Sequence, residues 1–204
     1  MSGLKAQRVG LFGGAFDPPH RAHVALAQAA IEQLNLDVLH VVPTGHAWHK
    51  QRTLTEARHR LAMCHLAFAN VYRALVDDRE IMRSGPTYTI DTLRELQAIY
   101  PQAQLYLVMG EDQAKALPSW HRVEELGGTA IICVASRSDS NAATAMSSGG
   151  SALRGAVFQP VQMPPSPLSA TEIRDKSARG QSVAPLVFES VARYIDQHHL
   201  YQSA

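Results

Sequence analysis

The chain has 204 residues and nearly balanced charge, with 19 Lys and Arg against 18 Asp and Glu for a net charge of +1. That balance gives no electrostatic footprint for a nucleic acid or another polyanion. No apolar run approaches the roughly 20 residues of a membrane span. Cys64 and Cys133 lie far apart and have no ligand-type neighbours, which argues against a disulfide framework or a cysteine metal site and for a reducing, cytoplasmic setting. Met1 to Arg8 leads straight into an apolar run with no signal-peptide core. The length predicts one domain, residues 1–204.

In chain order, apolar β-type runs recur at residues 9–12, 38–42, 74–76, 105–109, 130–134 and 157–161. Runs this continuous predict strands covered on both faces. Helical patterns fall between most of them. The first starts near Arg21 and places Val24, Ala27, Ile31 and Leu34 on one face; others cover residues 55–69, 89–99 and 119–126. A further pattern over 187–195 predicts a closing helix. The alternation predicts an α/β fold with a doubly wound parallel sheet. Residues 136–155, rich in Ser, Gly, Ala and Asn, are expected to form a mobile loop or insertion with a short helix at 142–146.

Ligands of such sheets bind beyond the carboxyl ends of the strands. The densest chemistry falls there. After the first strand the chain reads Gly13-Gly14-Ala15-Phe16-Asp17-Pro18-Pro19-His20, with His23 three residues on. Gly13 and Gly14 allow backbone N–H groups to approach a ligand closely, and His20 and His23 are expected on one face of the following helix, donating to phosphate oxygens. Asp17, His20 and His23 are also metal-ligand types, but helical histidine ligands more often sit four apart, so no protein metal site is expected. Ser169 and Glu172 have capping-box spacing, which starts a helix whose first turn carries Thr171 and Arg174, a hydroxyl and a guanidinium suited to a polyphosphate. Gly110 ends another strand, Asp112 is placed to meet ribose hydroxyls, and Trp120 offers a stacking face. His49 and Lys50 add positive charge in the loop after the second strand, and Thr89 opens a helix. Each of the later blocks read alone fits ordinary turns, caps and core aromatics.

Together the four ordered blocks resemble the nucleotidylyltransferase superfamily, and specifically the bacterial nicotinate-nucleotide adenylyltransferases. Residues 13–23 resemble the family's Gly-Gly-x-Phe-Asp-Pro-x-His-x-x-His signature in full, and residues 168–174 resemble its Ile-Ser-x-Thr-x-Ile-Arg signature with Leu168 in the first place. Pro86-Thr87-Tyr88-Thr89 and Gly110-x-Asp112 with Trp120 follow in the family's order. Two departures are Ala22 between the histidines, where the family usually has Gly, and Ala47-Trp48 before His49-Lys50.

The resemblance implies a Rossmann-like nucleotidyltransferase fold and a transfer of AMP from ATP to nicotinate mononucleotide. The products would be deamido-NAD and pyrophosphate, in NAD biosynthesis, with Mg²⁺ brought by ATP. It implies ATP-binding by Gly13, Gly14, Phe16, His20, His23, Ser169, Thr171 and Arg174, with His20, His23 and Arg174 catalytic. It gives the nicotinate mononucleotide to Lys50, Thr89, Gly110, Asp112, Trp120 and Arg137. The alternatives are phosphopantetheine or nicotinamide mononucleotide as acceptor, or a nucleotide-binding regulator on the same fold.

Overall fold

The computed structural model describes residues 7–45, 54–137, 155–164 and 166–202, with Ser136 and Arg137 described by their backbone alone. The strands are β1 (Arg8–Gly14), β2 (Val38–Pro43), β3 (Ala74–Val76), β4 (Gln104–Met109), β5 (Ile131–Arg137) and β6 (Phe158–Met163). They form one parallel sheet in the order β3-β2-β1-β4-β5-β6. This is the order of the dinucleotide-binding doubly wound folds, and it confirms the expected architecture.

The helices are α1 (Arg21–Gln33), α2 (Ala57–Phe68), α3 (Arg79–Met82), α4 (Thr89–Ile99), α5 (Glu111–Ala116), α6 (Val123–Thr129), α7 (Ala170–Ala178) and α8 (Glu189–Gln197), with a 3₁₀ turn at Leu117–Ser119. They cover both faces. Phe12, Leu39, Val41, Val108 and Val161 face a core that includes Val24 and Ile31 of α1, Met63 of α2, Ile173 of α7 and Val191 of α8. Val9, Leu11, Leu105, Leu107 and Ile132 point the other way, onto Ile90 and Leu93 of α4 and Leu126 of α6. Period-two alternation within each strand thus feeds two apolar layers, which is why the runs read as continuously hydrophobic. Val24, Ala27, Ile31 and Leu34 are all buried, as their spacing predicts.

Three features differ from the sequence expectation. The pattern over 119–126 is not one helix: the 3₁₀ turn stops at Ser119, Arg122 is left-handed at φ 54°, and α6 begins only at Val123. Helices α3 and α5 are too short, at 4 and 6 residues, to leave a periodic signature. Ser136 and Arg137 belong to β5, pairing with Gln162 and Met163, rather than to the following loop. The expected short helix at 142–146 lies outside the described residues.

The chain runs β1–β2–β3 toward one edge and then returns to β4 beside β1, so the sheet's switch point lies between β1 and β4. Gly13 and Gly14 end β1, and Gly110 follows β4. At the other edge a buried polar cluster fixes α3. Asp77 Oδ2 lies 2.7 Å from His40 Nδ1 and accepts from Arg79 Nη2 at 2.6 Å. Burial would raise the Asp77 carboxyl, but hydrogen bonds from His40 and Arg79 outweigh it and hold the group well below the usual carboxylate range.

A Cβ on Gly10 would lie 2.5 Å from Leu39 Cδ1 and 2.7 Å from Leu36 Cδ1. Overpacking of this kind costs about 1–3 kcal/mol. Gly10→Ala is expected to lower the thermal midpoint while leaving the activity of the folded fraction intact, which melting curves beside specific activity would check.

Candidate active site

Two cavities open at the switch point, one on each side of the turn that ends β1. One, of about 420 Å³, is lined by His20, His23, Gly110, Asp112, Ser169, Thr171 and Arg174 among others. The second, of about 300 Å³, is lined by Thr44, Glu80, Thr87, Tyr88, Thr89, Trp120 and His121 among others. Gly13, Gly14 and Ala15 line both. A Cβ on Gly13 would meet nothing within 4 Å, so its place at the turn leaves open space over the backbone.

The histidines meet as expected, though not on one helical face. His20 is the N-cap of α1, with φ −136°, and His23 is its third residue. Their rings stack 3.7 Å apart at 21°. The His20 N–H donates to His23 Nδ1 at 3.2 Å. An accepting Nδ1 carries no hydrogen, so the His23 proton sits on Nε2. Phe16, assigned from sequence to ATP, is 2% exposed, and its ring packs edge-on against His23, Phe12 and Phe68. The ring backs His23, and Phe16 also lines the histidine cavity. His20 is 6% exposed, and its Nδ1 has no hydrogen-bond partner, the one such buried side-chain nitrogen or oxygen among the described residues. Burial pushes the His20 imidazole down to about 4, so the ring is neutral at physiological pH.

The helix expected at Ser169 forms as α7. Ser169 is its N-cap, and its Oγ accepts from the Glu172 N–H at 3.2 Å. Arg174 turns back across the first turn, donating through Nη1 to the Asp17 carbonyl at 2.8 Å and through Nη2 to Thr171 Oγ1 at 3.0 Å. The guanidinium is thereby fixed over the turn beside His20 and His23. N-terminal N–H groups, hydroxyls and a guanidinium converging on one space have the chemistry that suits an anion.

Asp17, read from sequence only as part of the signature block and a metal-ligand type, holds this turn in shape together with Thr55, Arg60 and Tyr201, which the sequence reading missed. Asp17 is 1% exposed. Its carboxylate accepts from the Tyr201 hydroxyl at 2.8 Å and from the Thr55 N–H at 3.2 Å. Arg60 is 2% exposed and donates to the carbonyls of Ala15 and Thr55 at 3.0 and 2.8 Å. The available signal for Arg60 is its place on the apolar stripe of α2 with Met63, Cys64 and Ala67, where a cation needs a buried partner. Tyr201 carries no local signal, since its partner is 184 residues away.

The second cavity has a different character. Thr87, Tyr88 and Thr89 lead into α4; the N-cap is Tyr88 rather than Thr89. Trp120 caps the 3₁₀ turn, and the His121 ring stacks on Tyr88 at 4.0 Å and 27°. The left-handed Arg122 is clamped to Glu125 at 2.5 Å and lies 3.9 Å from Asp91 of α4, tying the Trp120 segment to the helix that carries Thr89. Glu80 is buried, which pushes its carboxyl up, and it accepts from Thr92 Oγ1 at 2.8 Å.

Gly110 and Asp112, given from sequence to the same ligand as Thr89 and Trp120, line the histidine cavity instead. The Asp112 side chain is 98% exposed there. Lys50 lies outside the described residues, and Arg137 is placed by its backbone alone, at the end of β5. Among the described residues no group of three His, Cys, Asp or Glu could hold a metal ion, and no helix is long and apolar enough to cross a membrane. Cys64 and Cys133 are free and buried, and burial raises both thiols, Cys133 to about 12.

Residues 11–176 match the cytidylyltransferase-like family. A protein of Albidiferax ferrireducens named "Probable nicotinate-nucleotide adenylyltransferase" is 55% identical over 97% of this chain and 100% of its own. One of the same name from Methylibium petroleiphilum is 43% identical over 98% of this chain and 95% of its own. The chain belongs to the nicotinate-nucleotide adenylyltransferase family. The fold agrees: the nicotinic acid mononucleotide adenylyltransferase of Plasmodium falciparum, solved with NaAD, superposes with a TM-score of 0.78 at 20% identity, covering 96% of this chain and 97% of its own. The same enzyme solved with APC gives 0.76. The family's two signature blocks, at the ends of β1 and β6, are the ones that converge here on the histidine cavity.

The lowered His20 value makes a stability prediction. Below pH 6.5 the unfolded chain takes up a proton that the folded chain refuses until about pH 4. Stability from this group is therefore present above pH 6.5 and is lost as pH falls toward 4, by up to about 3 kcal/mol. His20→Gln is expected to flatten that part of the stability–pH curve, measured by urea unfolding at pH 7, 6, 5 and 4.

Proposed function

We propose that this chain is an enzyme of NAD biosynthesis that transfers AMP from ATP to nicotinate mononucleotide, releasing pyrophosphate and forming deamido-NAD. The observation that carries the reading is the pair of cavities meeting at Gly13, Gly14 and Ala15, one lined by His20, His23, Thr171 and Arg174 and the other by Tyr88, Trp120 and His121. The relatives' names supply the same reaction.

ATP lies in the histidine cavity. Its phosphates meet the N–H groups of the β1 turn, His20, Nε2–H of His23, the start of α7 at Ser169 and Thr171, and the Arg174 guanidinium. Gly110 and Asp112 border the same cavity, so the ribose that Asp112 meets is the one belonging to ATP. The mononucleotide lies in the second cavity. Its pyridine ring stacks on Trp120, and its carboxylate faces Thr89 and the N-terminus of α4. Lys50 and Arg137 are assigned to its phosphate. Magnesium enters with the nucleotide as MgATP, held by phosphates and water. The buried thiols fit a cytoplasmic setting.

The chemistry needs little from side-chain acids and bases. An oxygen of the mononucleotide phosphate, already anionic at pH 7, attacks the α-phosphorus. A new P–O bond forms as the bond from the α-phosphorus to the bridging oxygen breaks, and the electron pair leaves with pyrophosphate. No proton must be removed from the nucleophile. The barrier lies in bringing two anions together and in the charge growing on the leaving group, so positioning and fixed donors carry catalysis. His20, neutral by burial, offers a single ring N–H and no extra charge. His23, with its proton fixed on Nε2, is aimed before the substrate arrives. Arg174, immobilised by Asp17 and Thr171, supplies the permanent positive charge.

Pyrophosphate release with ATP and Mg²⁺ tests the reading, with nicotinate mononucleotide, nicotinamide mononucleotide and phosphopantetheine compared as acceptors. The expected result is the highest kcat/KM with nicotinate mononucleotide; preference for either rival, or no release with any acceptor, overturns it. His23→Ala is expected to lower kcat by about 100-fold or more, the scale for removing a donor to developing charge. Trp120→Ala is expected to raise KM for the mononucleotide roughly tenfold through lost stacking, with KM for ATP unchanged.

A further inference from the structure

The two cavities share four lining residues: Gly13, Gly14, Ala15 and Gln113. The first three meet a ligand chiefly through their backbone. Gln113 is the one with a polar side chain. It is the third residue of α5, the short helix that starts directly after the β4 end at Gly110, and it is half-buried at the crevice. Its neighbours divide differently. Glu111 and Asp112 line the histidine cavity alone, whereas Trp120 and His121 line the other alone. His20, His23 and Arg174 likewise reach a single cavity.

Adenylyl transfer places its reacting atoms where the cavities meet, because the attacking oxygen comes from one ligand and the α-phosphorus from the other. We propose that Gln113 is a catalytic residue at this junction, its side-chain amide donating to the mononucleotide phosphate and to an α-phosphoryl oxygen of ATP as they approach. The assignment rests on the adenylyl-transfer reading above and adds a residue to it.

An amide suits the position. Its NH₂ group offers two donors and can serve two anions from one atom. A carboxylate would repel both phosphates. A neutral donor shared by both phosphates gains most when they are closest, in the transition state, so its removal shows in kcat. The attacking oxygen needs no base, and Gln113 takes up and releases no proton.

The test is steady-state kinetics of pyrophosphate release for Gln113→Ala and Gln113→Glu, with KM measured separately for ATP and nicotinate mononucleotide. Gln113→Ala is expected to lower kcat about tenfold, the scale of one hydrogen bond to a charged group, with both KM values within about threefold of wild type. Gln113→Glu has the same size and sits on a half-exposed helix, so it should melt with the wild type. Placing a negative charge between two anions, it is expected to lower kcat by at least about a further tenfold. A purely structural role would make the isosteric variant the milder one. A Gln113→Glu chain as active as Gln113→Ala or better overturns the proposal, as does a loss confined to the KM of one substrate. A wild-type chain that releases no pyrophosphate with nicotinate mononucleotide overturns the functional reading itself, whereas an active wild type with an unaffected Gln113→Glu overturns only the role of this residue.

Discussion

Both cavities depend on the path of the chain from Gly13 to His23, and that path is held by polar groups removed from water. Asp17 binds the tyrosyl hydroxyl of Tyr201 and the N–H of Thr55, while Arg60 binds the carbonyls of Ala15 and Thr55. A turn made only of glycine and proline would have many conformations to lose on binding. Here two other parts of the chain, residues 55–60 and Tyr201, stitch it into one. Buried polar groups are costly unless paired, so the network is strongly specified once formed.

That rigidity is what the chemistry requires. The reaction brings phosphate against phosphate and gains little from acid–base groups, so the donors must already be in place. The structure shows such placement at each step outward. Phe16 packs on His23, His23 accepts from the His20 backbone, and Arg174 is fastened to the Asp17 carbonyl and Thr171. Burial keeps the His20 ring neutral beside them.

The second cavity is assembled by a different device. Trp120 and His121 lie on an interruption between the 3₁₀ turn and α6, created by the left-handed Arg122 and clamped by its ion pairs to Glu125 and Asp91. The same arginine reaches Asp91, so the segment that carries Trp120 lies against α4, the helix that Thr89 opens. The two ligand spaces are therefore built from separate faces of the sheet, and they meet only at the β1 turn and Gln113.

The sequence by itself determined the parallel sheet, the apolar stripe of α1 and the two blocks that line the histidine cavity. Those depend on local periodicity and on residue types packed into short blocks, as at 13–23 and 169–174. It also singled out Thr89 and Trp120, which line the second cavity together. Tertiary structure decided the rest. The placement of Gly110 and Asp112 with the histidines follows from β4 lying beside β1, which spacing along the chain does not encode. The break at 119–123 follows from a backbone conformation and ion pairs to another helix, where the apolar pattern alone reads as a continuous one. Arg60 and Tyr201 act through partners 45 and 184 residues away. The physical reason is common to all of these: hydrophobic pattern is a property of neighbours in sequence, whereas buried hydrogen bonds and shared cavity walls are set by which elements the sheet order brings side by side.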